Sequence, residues 1–203
     1  MIRKFICCLA IFVSLGVGID GTSLTPAATE SWQVRSSSSL RVNGKTNINS
    51  FCCAIPSYER TDTIRVSTVH QVSGDLKAEG KLIIPVGKFD CHHKIMTKDL
   101  QKTLRADEYP NMTINFHSFS KPLEGIASGG MVTTKVEIYL AGAKKVYFID
   151  FEVKQYTKKQ LELTGIKPLL FSDFGLKPPS KLGGTIKVKN ELSVEIKLQV
   201  TRI

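Results

Sequence analysis

From Ile186 to Val200 the chain alternates. Ile186, Val188, Leu192, Val194, Ile196, Leu198 and Val200 take even positions, while Lys187, Lys189, Glu191, Ser193, Glu195, Lys197 and Gln199 take the odd ones. A period of two places every apolar side chain on one face of a β-strand and every polar one on the other. A strand of about 15 residues would run roughly 50 Å, far beyond the ordinary length. It must either curl around a barrel or break near Asn190. A two-residue loop at Asn190 and Glu191 would pair Lys189 with Leu192 and put a charge on the apolar face. A three-residue loop pairs Val188 with Leu192 and keeps both faces pure.

Similar signals recur upstream. Leu40 and Val42 alternate up to an expected turn at Asn43-Gly44, and Ile48 to Ile55 follows. Ile64, Val66 and Thr68 share a face that closes at the Gly74-Asp75 turn. Leu82, Ile83, Ile84 and Val86 form a more uniformly apolar run in which Pro85 marks an edge or bulge. Met112, Ile114 and Phe116 alternate next, then Val136, Ile138 and Leu140 lead into a turn at 141–144. Val146, Phe148, Ile149, Phe151 and Val153 return from it, and Leu161, Leu163 and Ile166 precede an apolar loop, Leu169-Leu170-Phe171. One segment differs: Met96, Leu100 and Leu104 stand four apart with charged residues between, which predicts a short amphipathic helix with Asp99 in its first turn, where the helix dipole favours it. Eight or more half-buried strands with turns between them and one helix predict an all-β chain, and closure into an antiparallel barrel of about eight strands removes exposed edges.

The N-terminus carries an address. Arg3 and Lys4 precede an apolar run from Phe5 to Val17, with small residues Gly16 and Gly18 at the spacing a signal peptidase reads. This predicts a secretory signal peptide over residues 1–18, a Ser/Thr/Ala/Pro linker to residue 31 and one domain over 32–203, exported to the periplasm or secreted. The run falls short of the roughly 20 residues that span a bilayer. Cys7 and Cys8 would leave with the signal, and they precede its apolar core, which argues against a lipid-modified cysteine. Aromatic residues are only 8% and form no girdles, and the wet strand faces carry Lys and Glu, so an outer-membrane barrel is disfavoured.

The net charge of +10 falls by two with Arg3 and Lys4. The basic residues are scattered as strand partners, with doublets only at Lys144/Lys145 and Lys158/Lys159, so no stripe suits a nucleic-acid backbone. Contact with an anionic membrane surface stays open. Of the remaining cysteines, a disulfide from Cys91 to either Cys52 or Cys53 is expected, leaving one thiol over. Adjacent residues on a strand face opposite ways, so only one of the pair is well placed, and which one is open.

No catalytic residue stands out. Cys91-His92-His93 is the only cluster of metal-ligand types, but consecutive strand residues diverge and no second cluster follows, so no metal and no other cofactor is expected. His70 and His117 read as surface residues, and nucleophile elbows, phosphate loops and zinc-protease motifs are missing. Asp99 beside Lys98 reads as a helix-start carboxylate. Asp173 reads as a group that satisfies loop amides.

Four blocks carry a family resemblance. They are Trp32 with Ser39-Leu40-Arg41-Val42 and Gly44; Met96-Thr97-Lys98-Asp99-Leu100, Leu104 and Tyr109-Pro110 entering Thr113-Ile114-Asn115-Phe116; Leu140-Ala141-Gly142 with Lys144-Lys145-Val146; and Ser172-Asp173-Phe174-Gly175. In this order they resemble the YceI-like family across roughly residues 31–201. The chain departs from the pattern at Lys98, where commoner members carry Arg, and over Thr46-Asn47-Ile48-Asn49-Ser50-Phe51-Cys52, which replaces a histidine-containing stretch; it resembles a divergent member. The resemblance implies a lipocalin-like barrel, exported to the periplasm, whose interior holds a polyisoprenoid or similar lipid; the missing catalytic motifs separately disfavour an enzyme. The interior residues expected to touch it are Leu40, Val42, Ile64, Val66, Leu82, Ile84, Ile114, Phe116, Ile138, Leu140, Phe148, Phe171, Phe174, Val194, Ile196 and Leu198. A barrel of this size can equally be filled by its own side chains, which would make the chain an envelope structural or interaction module without a ligand. The oligomeric state is open.

Overall fold

The alternating C-terminal segment is a single strand of 17 residues, Ile186–Arg202, and it curls. The structure, a computed structural model, describes residues 28–181 and 184–203. The expected signal peptide, with Cys7 and Cys8, lies outside the described residues. Eleven strands follow in chain order: β1 Thr29–Val34, β2 Ser39–Thr46, β3 Ser50–Ile55, β4 Thr63–His70, β5 Leu76–Pro85, β6 Asn111–Phe119, β7 Gly130–Leu140, β8 Ala143–Thr157, β9 Gln160–Leu170, β10 Ser180–Lys181 and β11 Ile186–Arg202. β1 thus begins inside the stretch read as linker. A helix, α1 Lys94–Thr103, stands between β5 and β6.

Pairing runs β1-β4-β5-β6-β7-β8-β9-β11, and β11 pairs back onto β1, so eight strands close into an antiparallel ring. Closure pairs both edges of every ring strand over at least part of its length. β11 achieves it by serving two partners on one side, with its first part on β2 and its end, Val200 to Arg202, on β1. The β2–β3 hairpin extends the wall at one end of the barrel. Asn190 marks a bulge, not a turn: between Val188 and Leu192 the strand advances four residues while β2 advances two, from Thr46 to Gly44. A two-residue excess leaves the even positions facing inward, where a single extra residue would have flipped them.

Two local readings change. Asn43-Gly44 lies within β2, where Gly44 stands opposite Phe51 and a Cβ would meet its ring at 2.2 Å. The chain turns instead at residues 47–49, where the Thr46 hydroxyl accepts the N–H groups of Ile48 at 3.1 Å and Asn49 at 2.9 Å. The helix starts at Lys94, so Asp99 sits in its middle and not in its first turn.

The end away from α1 is solid. Trp32, Ile64, Val66, Phe119, Phe151 and Leu163 are buried there, and the rings of Phe116 and Phe119 stack at 5.9 Å. Gly165 faces inward against Phe151, whose ring lies 2.9 Å from where a Cβ would stand. A buried carboxylate closes this end: Glu30 accepts the indole N–H of Trp32 at 3.0 Å and the backbone N–H groups of Leu123 at 3.2 Å and Glu124 at 3.3 Å. Three donors on one oxygen offset the desolvation of a buried charge.

Candidate functional site: the barrel interior and its mouth

The other half of the barrel holds a narrow void of about 50 Å³ with apolar walls. Among the expected interior residues, Leu40, Val42, Ile114, Ile138, Leu140, Phe171, Phe174, Val194 and Ile196 line it. Leu82, Ile84 and Leu198 border a smaller space of about 20 Å³ beside Tyr58. Ile64, Val66 and Phe116 belong to the solid end. Phe148 is a correction: it is 56% exposed and points out of the barrel. β8 turns its odd residues Tyr147, Ile149, Phe151 and Val153 inward, and the consecutive pair Phe148-Ile149 left that parity unreadable.

Sequence reading missed a second set of wall residues. Leu100 of α1, Leu104 just beyond its end, Met112 and Leu192 also line the void. The four-residue spacing of Met96, Leu100 and Leu104 was their signal, since an amphipathic helix must bury that stripe against something. The stripe lies across the mouth.

Part of the wall is not strand. β8 and β9 pair from Phe151/Gly165 toward the closed end, but nearer the mouth β8 follows β7 and β9 follows β11. A 3₁₀ turn, Phe171–Phe174, packs against β8, β9 and β11 and turns both phenylalanines inward. Asp173 holds it. Its carboxylate accepts the Tyr147 hydroxyl at 2.7 Å and the Leu170 N–H at 3.3 Å, and Lys145 stands 3.8 Å away. The Tyr147 hydrogen bond lowers the Asp173 pKa from the usual carboxylate value. Burial, then the bond to Asp173, pushes the Tyr147 hydroxyl upward. At the side of the barrel, burial and a bond to Asp62 push Tyr58 up to about 12.

Outside the void lies a groove of about 470 Å³ between α1, the β2–β3 hairpin and the start of β11. Phe51, Ile95, Met96, Ile186 and Val188 supply its apolar surface, and Asn49, His93 and Asp99 its polar edge. Leu100 and Phe171 line both spaces, so these two side chains stand between groove and interior.

The groove is braced by a disulfide. Cys53 on β3 is joined to Cys91, and Cys52 is a thiol. The residues beside the bridge pair as well: Ala54 and Asp90 exchange backbone hydrogen bonds of 2.8 and 2.9 Å. Cys91 is thereby engaged, and His92 and His93 are both exposed, His93 at the N-cap position of α1 without a side-chain capping bond. Among the described residues no three His, Cys, Asp or Glu side chains are placed to hold a metal.

A closed barrel packed at one end, with an apolar groove beside its other end, is a shape that its own side chains can fill or that can hold one small ligand. No protein-family model matches the chain, and no curated protein matches its sequence. Solved structures do match. A polyisoprenoid-binding domain from Saccharophagus degradans, implicated in plant cell wall breakdown, superposes with a TM-score of 0.61 at 11% identity, over 85% of this chain and 98% of that one. Burkholderia cenocepacia BcnA gives 0.58 at 16% identity, over 81% and 96%. A Campylobacter jejuni YCEI protein gives 0.47 at 15%, over 78% and 84%, a likeness too loose to carry an argument. The fold of this chain is the barrel that the S. degradans domain and BcnA share.

Proposed function

We propose that the protein is an exported, non-enzymatic carrier that holds a polyisoprenoid or similar long apolar chain in the mouth half of its barrel. The observation that carries this reading is the shared wall: an apolar interior and an apolar groove are both lined by Leu100 and Phe171, which sit on the helix and the 3₁₀ turn and not on the strand ring. A void of about 50 Å³ is smaller than the ~150 Å³ apolar cavity that accommodates benzene, so a lipid chain enters by displacing those two elements. The S. degradans relative in fold is described as binding polyisoprenoids, which supports the same ligand class. Apolar burial at about 25 cal/mol per Å² supplies the affinity, and the polar edge at Asn49, His93 and Asp99 faces the ligand's head.

The same narrow void favours a second reading, an envelope structural or interaction module with a filled core. Purification without detergent, followed by solvent extraction and mass spectrometry, separates the two. A stoichiometric apolar lipid is expected; protein that comes away empty and takes up no isoprenoid alcohol in solution would leave the second reading standing.

A further inference from the structure

The rim of the mouth carries a charge pattern that the fold itself does not need. Lys94, Lys98 and Lys102 follow one another at four-residue spacing along α1, and all are exposed. Like charges at that spacing repel, and Lys94 stands in the first turn, where the dipole disfavours a cation. On the outer face of the wall whose other face lines the groove, Lys45 on β2 and Lys187 and Lys189 on β11 are exposed too. Among the described residues none of these six lysines has an ion-pair partner. Within residues 42–46, 94–103 and 186–192 only two carboxylates, Asp99 and Glu191, accompany them.

Two large apolar side chains stand out on the same rim: Ile48 is 65% exposed and Ile95 is 62% exposed. The Ile48 turn is firmly held. Beyond the Thr46 bonds, the Asn47 side chain donates to the Thr185 carbonyl at 2.9 Å and accepts the Lys187 N–H at 2.9 Å, tying the hairpin tip to β11. Its exposure is therefore built in.

Basic side chains around projecting aliphatic ones are the chemistry of an interfacial lipid contact. We propose that the mouth docks on an anionic lipid bilayer, with Ile48 and Ile95 seated among the headgroups and the six lysines against lipid phosphates. The inference rests on the carrier reading for what docking accomplishes: the groove would face the membrane from which an apolar chain is drawn. Charge complementarity selects this occupant, since the chain is basic at +10, or +8 without Arg3 and Lys4, and these six lysines, without ion-pair partners among the described residues, lie on the elements that form the opening.

The test is sedimentation of the exported protein with vesicles of phosphatidylcholine alone and of an equal mixture with phosphatidylglycerol. Binding is expected only to the mixture, and added salt should weaken it. Replacing Lys94, Lys98 and Lys102 with Gln should lower the partition by about a hundredfold. Ile48→Ser with Ile95→Ser should lower it at unchanged charge, whereas Lys158→Gln with Lys159→Gln, at the opposite end, should leave it unaltered. All these sites are exposed, so an unchanged melting temperature verifies folding. Equal partition to both vesicles, equal loss from the far-end pair, or a dimer that dissolves on Ile48→Ser and Ile95→Ser would each overturn the docking. Protein that contains lipid yet ignores vesicles overturns docking alone; protein that binds vesicles as expected but proves empty supports docking and overturns the carrier reading.

Discussion

Gly142 sits in the two-residue β7–β8 turn with φ +87°, after Ala141 at φ +50°. A Cβ there would stand 2.8 Å from the Tyr109 ring. Gly142→Ala combines left-handed strain of about 1–2 kcal/mol with that clash, so a loss of about 2 kcal/mol or more is expected in urea unfolding. Leu100→Ala should cost about 2–5 kcal/mol as a buried truncation. It also opens the wall between groove and interior, so uptake of a fluorescent apolar probe should rise. Leu163→Ala at the solid end should lose similar stability with no gain in uptake; equal uptake by both variants would mean that Leu100 does not divide groove from interior. At this scale the sequence was legible wherever parity was clean. Val194, Ile196 and Leu198 face inward as their alternation requires, whereas Phe148 was misjudged because Ile149 beside it is just as apolar. Gly44 was misread for a different reason, since the Phe51 ring that covers it arrives from another strand and no local pattern announces it.

The mouth is held by two elements that the ring does not hold for itself. The Cys53–Cys91 bridge spans 38 residues, and loop-closure entropy puts its contribution at about 4 kcal/mol in the chain-entropy account. Cys53→Ser with Cys91→Ser should lower the melting temperature and should speed hydrogen exchange in α1 before that in β7 or β8. The 3₁₀ turn depends on Asp173. Its folded pKa lies below the unfolded value, so its contribution is present above the ordinary carboxylate range and is lost as pH falls through the folded pKa. Asp173→Asn should therefore be less stable than the parent at pH 7, and the two should converge as the pH drops below about 4. A gap that persists in acid would assign the effect to packing. Alternation announced the strands and fourfold spacing the helix, yet nothing local said that the helix would close the mouth. Likewise, no periodicity marks 171–174 as wall, because it substitutes for a strand pairing between β8 and β9 that only the closed ring defines.

At the level of the whole molecule, the two ends of one barrel are built to different standards. Trp32, Phe119 and Phe151 are fully buried beside the hydrogen-bonded Glu30, while the mouth half is walled in part by Leu100, Phe171 and Phe174 on elements outside the ring. The sequence disclosed one dry face along each strand but not this asymmetry, because alternation is the same in a packed layer and an open one. On the carrier reading, the barrel measures its ligand. Each added methylene that leaves water contributes about 0.8 kcal/mol until the chain meets the stacked Phe116 and Phe119 rings, after which further units stay in the groove or in solvent. Competition by a series of isoprenoid alcohols of increasing length should therefore show affinity climbing and then levelling, and Phe119→Ala should move the plateau to longer chains. Affinity that climbs without a limit would mean that the chain runs through the barrel, and affinity independent of length would mean that only the groove is used.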